Sequence, residues 1–209
     1  LQHKASRLFR GVQSFNFEVD FMAKDTTKPT GFFRRLYWDL SSPTQRFQYG
    51  LWLIRNFPGE SGVLLRSRYI AKYLKKTGEG FRARSGVKIT GADNLVIGNN
   101  SNLGEDCDLQ ASGGIIIGNN VMMGPKVMIW SINHKYNDKD THIYEQGWNE
   151  KPVVISDGCW LGARVFVLPG AVLGEGCVVG ACTVLEGKNY PAWSVIVGHP
   201  ARVIGSRKD

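Results

Sequence analysis

Ile155 to Leu185 reads ISDGCWLGARVFVLPGAVLGEGCVVGACTVL, and stepping through it by six returns one kind of residue. Ile155, Leu161, Val167, Leu173, Val179 and Leu185 are all aliphatic. Glycine often follows, at Gly162, Gly174 and Gly180. Four residues after each aliphatic position stands something small or β-branched: Cys159, Val165, Ala171, Cys177, Thr183. Past Pro191 the same register predicts Val197. A period of six fits neither an amphipathic helix nor a half-buried strand. It fits a coil of three short strands, about eighteen residues per turn, in which one large aliphatic side chain per strand fills the interior. Small residues let the corners close, Gly and Asn tolerate the positive φ of the turns, and each coil stacks in parallel on the last. A β-sandwich would show a period of two and turn signals about every 8–12 residues, which this stretch lacks.

The pattern extends towards the N-terminus. Ile97-Gly98, Leu103-Gly104 and Leu109 are in register, and Ile117-Gly118, Met123-Gly124 and Ile129 follow after a shift of two. Ile-Gly-Asn-Asn occurs at 97–100 and again at 117–120. Towards the C-terminus stand Val178-Val179-Gly180-Ala181 and then Gly198-His199-Pro200-Ala201-Arg202-Val203-Ile204.

With Cys159-Trp160-Leu161-Gly162-Ala163, these strings resemble the signature of the hexapeptide-repeat acyltransferases over about residues 87–205. In detail the chain is similar to the sugar-acetylating branch of galactoside, maltose and colanic-acid-type acetyltransferases. The resemblance implies a left-handed parallel β-helix, a homotrimer with active sites between neighbouring helices, and acetyl-CoA as acyl donor. The expected organisation is a basic N-terminal segment with short helices over 1–86, the β-helix over 87–205 and a tail over 206–209.

The repeat breaks between Ile129 and Val153, and the expected loop is 130–152. A polar insert of about twenty residues in a regular solenoid reads as functional. It holds His134 and His142, two of the four histidines. Asn133-His134-x-Tyr136-x-Asp138 matches the colanic-acid-type version of the family motif, which implies His134 as general base beside Asn133. Acyl transfer from a thioester needs a group that accepts the acceptor's proton, and imidazole titrates near neutral pH. Asp138 has two readings, as partner of the imidazole or as the cap of a turn in the loop. His142 reads as a surface residue, and His199 as a neighbour of the donor site. His134, His142 and His199 do not have the spacing of a tetrahedral zinc site, so no metal is expected.

For the donor, the resemblance implies that the pantetheine arm runs past Gly162, Ala163, Gly180 and Ala181, where small side chains allow close approach. Pro200 and Arg202 match the terminal signature, and cations are needed for the phosphates. The family's Thr-Lys-Asp after the last coil is Glu186-Gly187-Lys188 here, which displaces the lysine by one. The usual basic residue three after Arg202 is Gly205, with Arg207 as the substitute. Lys188 and Arg207 also read as plain surface charge. For the acceptor, Asp106 and Asp108 fall where the family places an Asn or Asp. Trp130, Trp148 and Trp160 are candidates to stack on sugar rings, with a packing role equally open for Trp160.

Charge is uneven along the chain. Residues 1–90 carry 17 Lys and Arg against 6 Asp and Glu, whereas 91–209 carry 9 against 12. Thr44–Phe57 and Gly62–Lys76 read as amphipathic helices, and 11–43 as irregular, with Phe15, Phe17, Phe21, Phe32, Phe33, Tyr37 and Trp38 among arginines. One reading is a cap that seals the first coil. A compatible one is contact with a membrane or a lipid-linked substrate through residues 32–76. No nucleic-acid-binding motif accompanies the basic residues. No apolar run reaches the ~18–20 residues of a spanning helix, and no secretory leader pattern opens the sequence. Three of the four cysteines, Cys107, Cys159 and Cys177, occupy small-residue slots of the repeat, which suits reduced thiols. The expectation is a cytoplasmic protein, at the inner face of a membrane in the lipid-contact reading. The function expected is O-acetylation of a sugar hydroxyl of a surface polysaccharide or its precursor. N-acetylation of an amino sugar or amino acid, and a silent binding scaffold, are the alternatives.

Overall fold

The computed structural model describes residues 31–208 and is a parallel β-solenoid of about six coils under a helical segment. The first face stacks Lys76–Thr77, Leu95–Ile97, Ile115–Ile117, Val153–Ile155, Val172–Leu173 and Asn189–Tyr190. The second face pairs Arg82–Ala83 with Asn102–Leu103 and then stacks Met122–Met123, Trp160–Leu161, Val178–Val179 and Ser194–Val197. The third runs through Lys88–Thr90, Asp108–Gln110, Met128–Trp130, Phe166–Val167 and Val184–Leu185.

The six-residue register becomes the interior. Ile97, Ile117, Ile155 and Leu173 stack in one column, and Leu109, Ile129, Val167 and Leu185 in another, all essentially inaccessible to solvent. Cys159 and Cys177 sit at the corner before the second face and Cys107 at the corner before the third, all buried as the pattern requires, and burial pushes the Cys107 thiol up to about 11. Cys182 is exposed. It stands at an outer corner with φ of 59°, in the column that holds Asp106, Lys126 and Arg164 at φ of 56–60°.

Coil length is not constant. Ile97 pairs with Ile117 and Leu109 with Ile129, twenty residues apart, whereas Ile155 to Leu173 is eighteen. The last full coil is shorter by one: Leu173 pairs with Tyr190 and Val179 with Ile196. Ile196, not Val197, therefore points inward, which corrects the register expected past Pro191. The lost residue lies between Leu185 and Tyr190. Tyr190 takes the slot of an aliphatic residue, and its hydroxyl accepts the Glu186 N–H at 3.0 Å. The second face ends in an antiparallel strand, Arg202–Ser206, laid against Ser194–Val197.

Among the described residues three helices precede the coils: α1 (Phe32–Ser41), α2 (Pro43–Ile54) and α3 (Gly59–Ala71). Thus 32–41 is helical where an irregular segment over 11–43 was expected; the part of that expectation over 11–30, with Phe15, Phe17 and Phe21, lies outside the described residues. The third helix ends at Ala71, and Lys76 already belongs to the first coil. Phe47 and Leu51 of α2 and Ile70 of α3 are buried with Phe81 and Ala83, which closes the open end of the interior. Gln48 Nε2 donates to Ile89 O at 2.7 Å and ties α2 to the first coil. Arg66 is 1% exposed, and its guanidinium donates to the carbonyls of Ile54, Phe57 and Ala83, satisfying the chain between α2 and α3. In contrast α1 buries no residue. Among the described residues no helix is long and apolar enough to cross a membrane.

Candidate functional site

The insert leaves the solenoid at the corner between the third and first faces. In the two preceding coils the same corner holds the extra residues, as the tight helical turn Ala92–Asn94 and the turn at Ala111–Gly114. The third coil exploits that slack. Ser131, fully buried, anchors the departure: its Oγ donates to Gln110 O at 2.7 Å and accepts the Gly113 N–H at 2.9 Å. Ile132–His134 then pairs antiparallel with Trp148–Glu150, and this hairpin carries the loop outward.

His134 is the last residue of the hairpin's first strand, directly opposite Trp148. Its exposed imidazole lies over the Trp148 indole, with centroids 3.9 Å apart and planes at 33°. Asn133 Oδ1 accepts the His134 N–H at 2.9 Å. The asparagine therefore fixes the backbone on which the imidazole stands.

Asp138 takes the turn-capping alternative. Its Oδ1 accepts the Asp140 N–H at 2.9 Å and its Oδ2 the Thr141 hydroxyl at 2.8 Å. These bonds hold its carboxyl below the usual range. Gln146 completes the loop's internal order: its amide donates to Asp138 O and Thr141 O, while its Oε1 accepts the Asp138 N–H. No sequence pattern pointed to Gln146, because a single Gln in a polar loop has no periodicity to betray it. His142 stacks on Tyr144 at the loop surface, at 5.7 Å.

The remaining tryptophans do not converge on His134. Trp130 meets Phe166 edge to face on the third face, with centroids 5.3 Å apart. Trp160 lies on the second face, half exposed, beside Met122, Arg84 and Gly124. Asp106 and Asp108 line a groove of about 460 Å³ with Lys88, Lys126 and Arg164, and no residue of the loop lines it. Those three cations escaped the sequence reading because each sits alone in its own coil, and only stacking brings them together.

The donor candidates separate into two groups. Gly162, Ala163, Gly180 and Ala181 form the corner between the second and third faces. A Cβ at Gly162 would stand 2.7 Å from Ala181 N, so coil stacking alone demands glycine there. Lys188 bonds Glu186, and Arg202 and His199 also act on that carboxylate, which Lys188 most of all holds below its usual range. Arg202 follows exposed Pro200 in the turn after the last second-face strand, near the end of this corner, and Lys188, which leads into the first-face strand Asn189–Tyr190, lies within its electrostatic reach. Small corner residues leading to two exposed cations fit a long ligand with an anionic end. Arg207 is elsewhere: its guanidinium donates to Gly176 O at 2.8 Å and lies over the Trp193 ring, which makes it a fastener of the tail.

Residues 152–187 match the family model described as bacterial transferase hexapeptide, six repeats. The chain is 36% identical over 132 residues to the "Putative colanic acid biosynthesis acetyltransferase" of Escherichia coli, covering 63% of this chain and 69% of that one. Among solved structures it is similar to a maltose O-acetyltransferase from Clostridium difficile, with a TM-score of 0.71 and 27% identity over 80% of this chain and 87% of that one. A hexapeptide-repeat acetyltransferase from Vibrio cholerae, solved with acetyl coenzyme A, shares the fold at a TM-score of 0.70 and 21% identity, covering 79% of this chain and 87% of that one.

Proposed function

The chain belongs to the hexapeptide-repeat acetyltransferases, and from that premise we propose that it moves an acetyl group from acetyl-CoA to a sugar hydroxyl of a surface polysaccharide or its precursor. The observation that carries this reading is His134. It stands at the end of a hairpin grown from the solenoid's most permissive corner, with its ring supported by Trp148. Bound acetyl-CoA supplies the activated acetyl thioester. The imidazole of His134 takes the proton from the attacking hydroxyl, Trp148 restricts the ring's orientation, and Asn133 holds the backbone beneath it. Gly162, Ala163, Gly180 and Ala181 give a smooth wall for the donor's arm, and Lys188 and Arg202 offer charge to its phosphates.

Asp106 and Asp108 hold the acceptor through hydrogen bonds to its hydroxyls. On one chain their groove and His134 are apart, which supports a homotrimer in which the loop of one copy serves the groove of the next. The exposed aromatic and basic side chains of residues 32–76 support a peripheral position at the inner face of a membrane.

Free thiol release from acetyl-CoA, measured against a panel of sugars and amino sugars, tests the reading. Acceptor-dependent release that disappears in His134→Ala is the expected result. Full activity in that variant would overturn the assignment of the base.

A further inference from the structure

A second groove, of about 440 Å³, lies between α2 and the first coil. Its walls include Tyr49, Leu51, Trp52 and Val87, and its cations are Arg55 and Lys88, with no carboxylate among the lining residues. Among the described residues the ion pairs are Arg82–Glu60 and Lys188–Glu186, so neither groove cation has an acidic partner. Asp39 of α1 accepts the Tyr49 hydroxyl at 3.2 Å and joins α1 to the groove's rim. The groove is firm, since Gln48 bonds the first coil beneath it.

Lys88 lines this groove and also the one around Asp106 and Asp108, and its strand pairs with that of Asp108. The two grooves therefore share a wall. Apolar side chains on α1 and α2 are exposed: Phe33 is 82% exposed, Tyr37 78%, Leu53 72% and the groove's own Trp52 67%. An aromatic trough with two unpaired cations suits an anion attached to an apolar chain.

We propose that the groove between α2 and the first coil binds a phosphate ester bearing an apolar chain, with Arg55 and Lys88 on the phosphate and Trp52 and Tyr49 along the chain. In the enzyme this ligand is the lipid-phosphate end of the acceptor, whose sugar reaches past Lys88 to Asp106 and Asp108. The assignment of the acceptor rests on the acetyltransferase reading, whereas the groove's ligand chemistry does not.

Binding to the full chain, by calorimetry, is the test, with farnesyl phosphate, farnesol and inorganic phosphate as probes. Farnesyl phosphate is expected to bind roughly tenfold or more tightly than either half-ligand, since two charge-assisted contacts and an apolar trough act together. Arg55→Gln combined with Lys88→Gln is expected to cost roughly tenfold or more, with an unchanged melting temperature, and Trp52→Phe to retain binding that Trp52→Ala weakens. Equal binding of farnesol, equal binding of inorganic phosphate, or indifference to the double variant would overturn the proposal. Phosphatidylcholine–phosphatidylglycerol vesicles separate the sources. Capture that farnesyl phosphate competes away assigns the groove to lipid phosphates at large, and binding without capture assigns it to a linked acceptor. Failure of thiol release with every acceptor would overturn the activity and leave this binding result intact.

Discussion

The stack from Val153 to Leu185 and the insert from Trp130 to Pro152 are neighbours in sequence and opposite in design. In the stack every sixth side chain is locked into a column, and the backbone of each coil is bonded to the next. In the insert the order is local: a short hairpin, a stacked ring pair and a Gln clamp. Both start from the same corner geometry. Where the corner absorbs two extra residues it stays a turn, and where it absorbs many it becomes a hairpin that carries His134 away from the stack. A solenoid therefore separates its obligations, with stability in the columns and chemistry in whatever the corners tolerate.

Substitutions can break that division or sharpen it. The largest effect is expected from Leu173→Asp, which buries a charge in a dry column; circular dichroism should report loss of the folded state, and Leu173→Ala should cost about 2–5 kcal/mol in denaturant unfolding. His134→Ala should lower acetyl transfer by about 10²–10⁴-fold while the melting curve stays in place. A parallel drop in stability would mean that the insert is part of the framework after all. Ser131→Ala sits on the border between the regions. It leaves the Gly113 N–H without its partner, while Gln110 O keeps the Ser131 N–H and loses only the hydroxyl, so about 1–3 kcal/mol of stability should go, together with activity.

Smaller effects belong to the loop alone. Gln146→Ala should speed amide exchange over residues 138–141 and leave exchange in the stack unchanged. Asp138 gives a pH counterpart. Its carboxyl is held below the ordinary value by the Asp140 N–H and the Thr141 hydroxyl, so its contribution is complete above the ordinary carboxylate range. That contribution should fade as pH falls through the lowered value, seen as faster exchange at Asp140 under acid conditions. Faster exchange at higher pH than this, with intrinsic rates removed, would contradict the capping role.

These two regions also differed in how far the sequence disclosed them. Ile155 to Leu185 announced its columns because one physical demand, filling a narrow interior, recurs at fixed spacing. The same logic failed at Val197, since a one-residue deletion is invisible until Tyr190 is seen in an aliphatic slot. The interruption and its motif singled out His134 in the sequence. Its ring contact with Trp148 left no such mark, because that stacking depends on hairpin register, and the two readings of Asp138 were open until its bonds to Asp140 and Thr141 were seen. Lys88, Lys126 and Arg164 meet only through coil-to-coil stacking, a long-range arrangement without a local mark. Helix α1 lacked legibility for another reason: it buries nothing, so no core-facing stripe had to be written into it.

The strand Arg202–Ser206 has a consequence of its own. A parallel solenoid ends in open backbone edges, and each edge could template another coil or another molecule without limit. Here the second face is closed by a strand of opposite direction, which offers the wrong hydrogen-bond pattern for a further parallel coil. At the other end the helices fill the interior with Phe47, Leu51 and Ile70. The molecule thus carries a built-in stop at each pole, and removing the last strand should turn a discrete enzyme into the seed of a fibre.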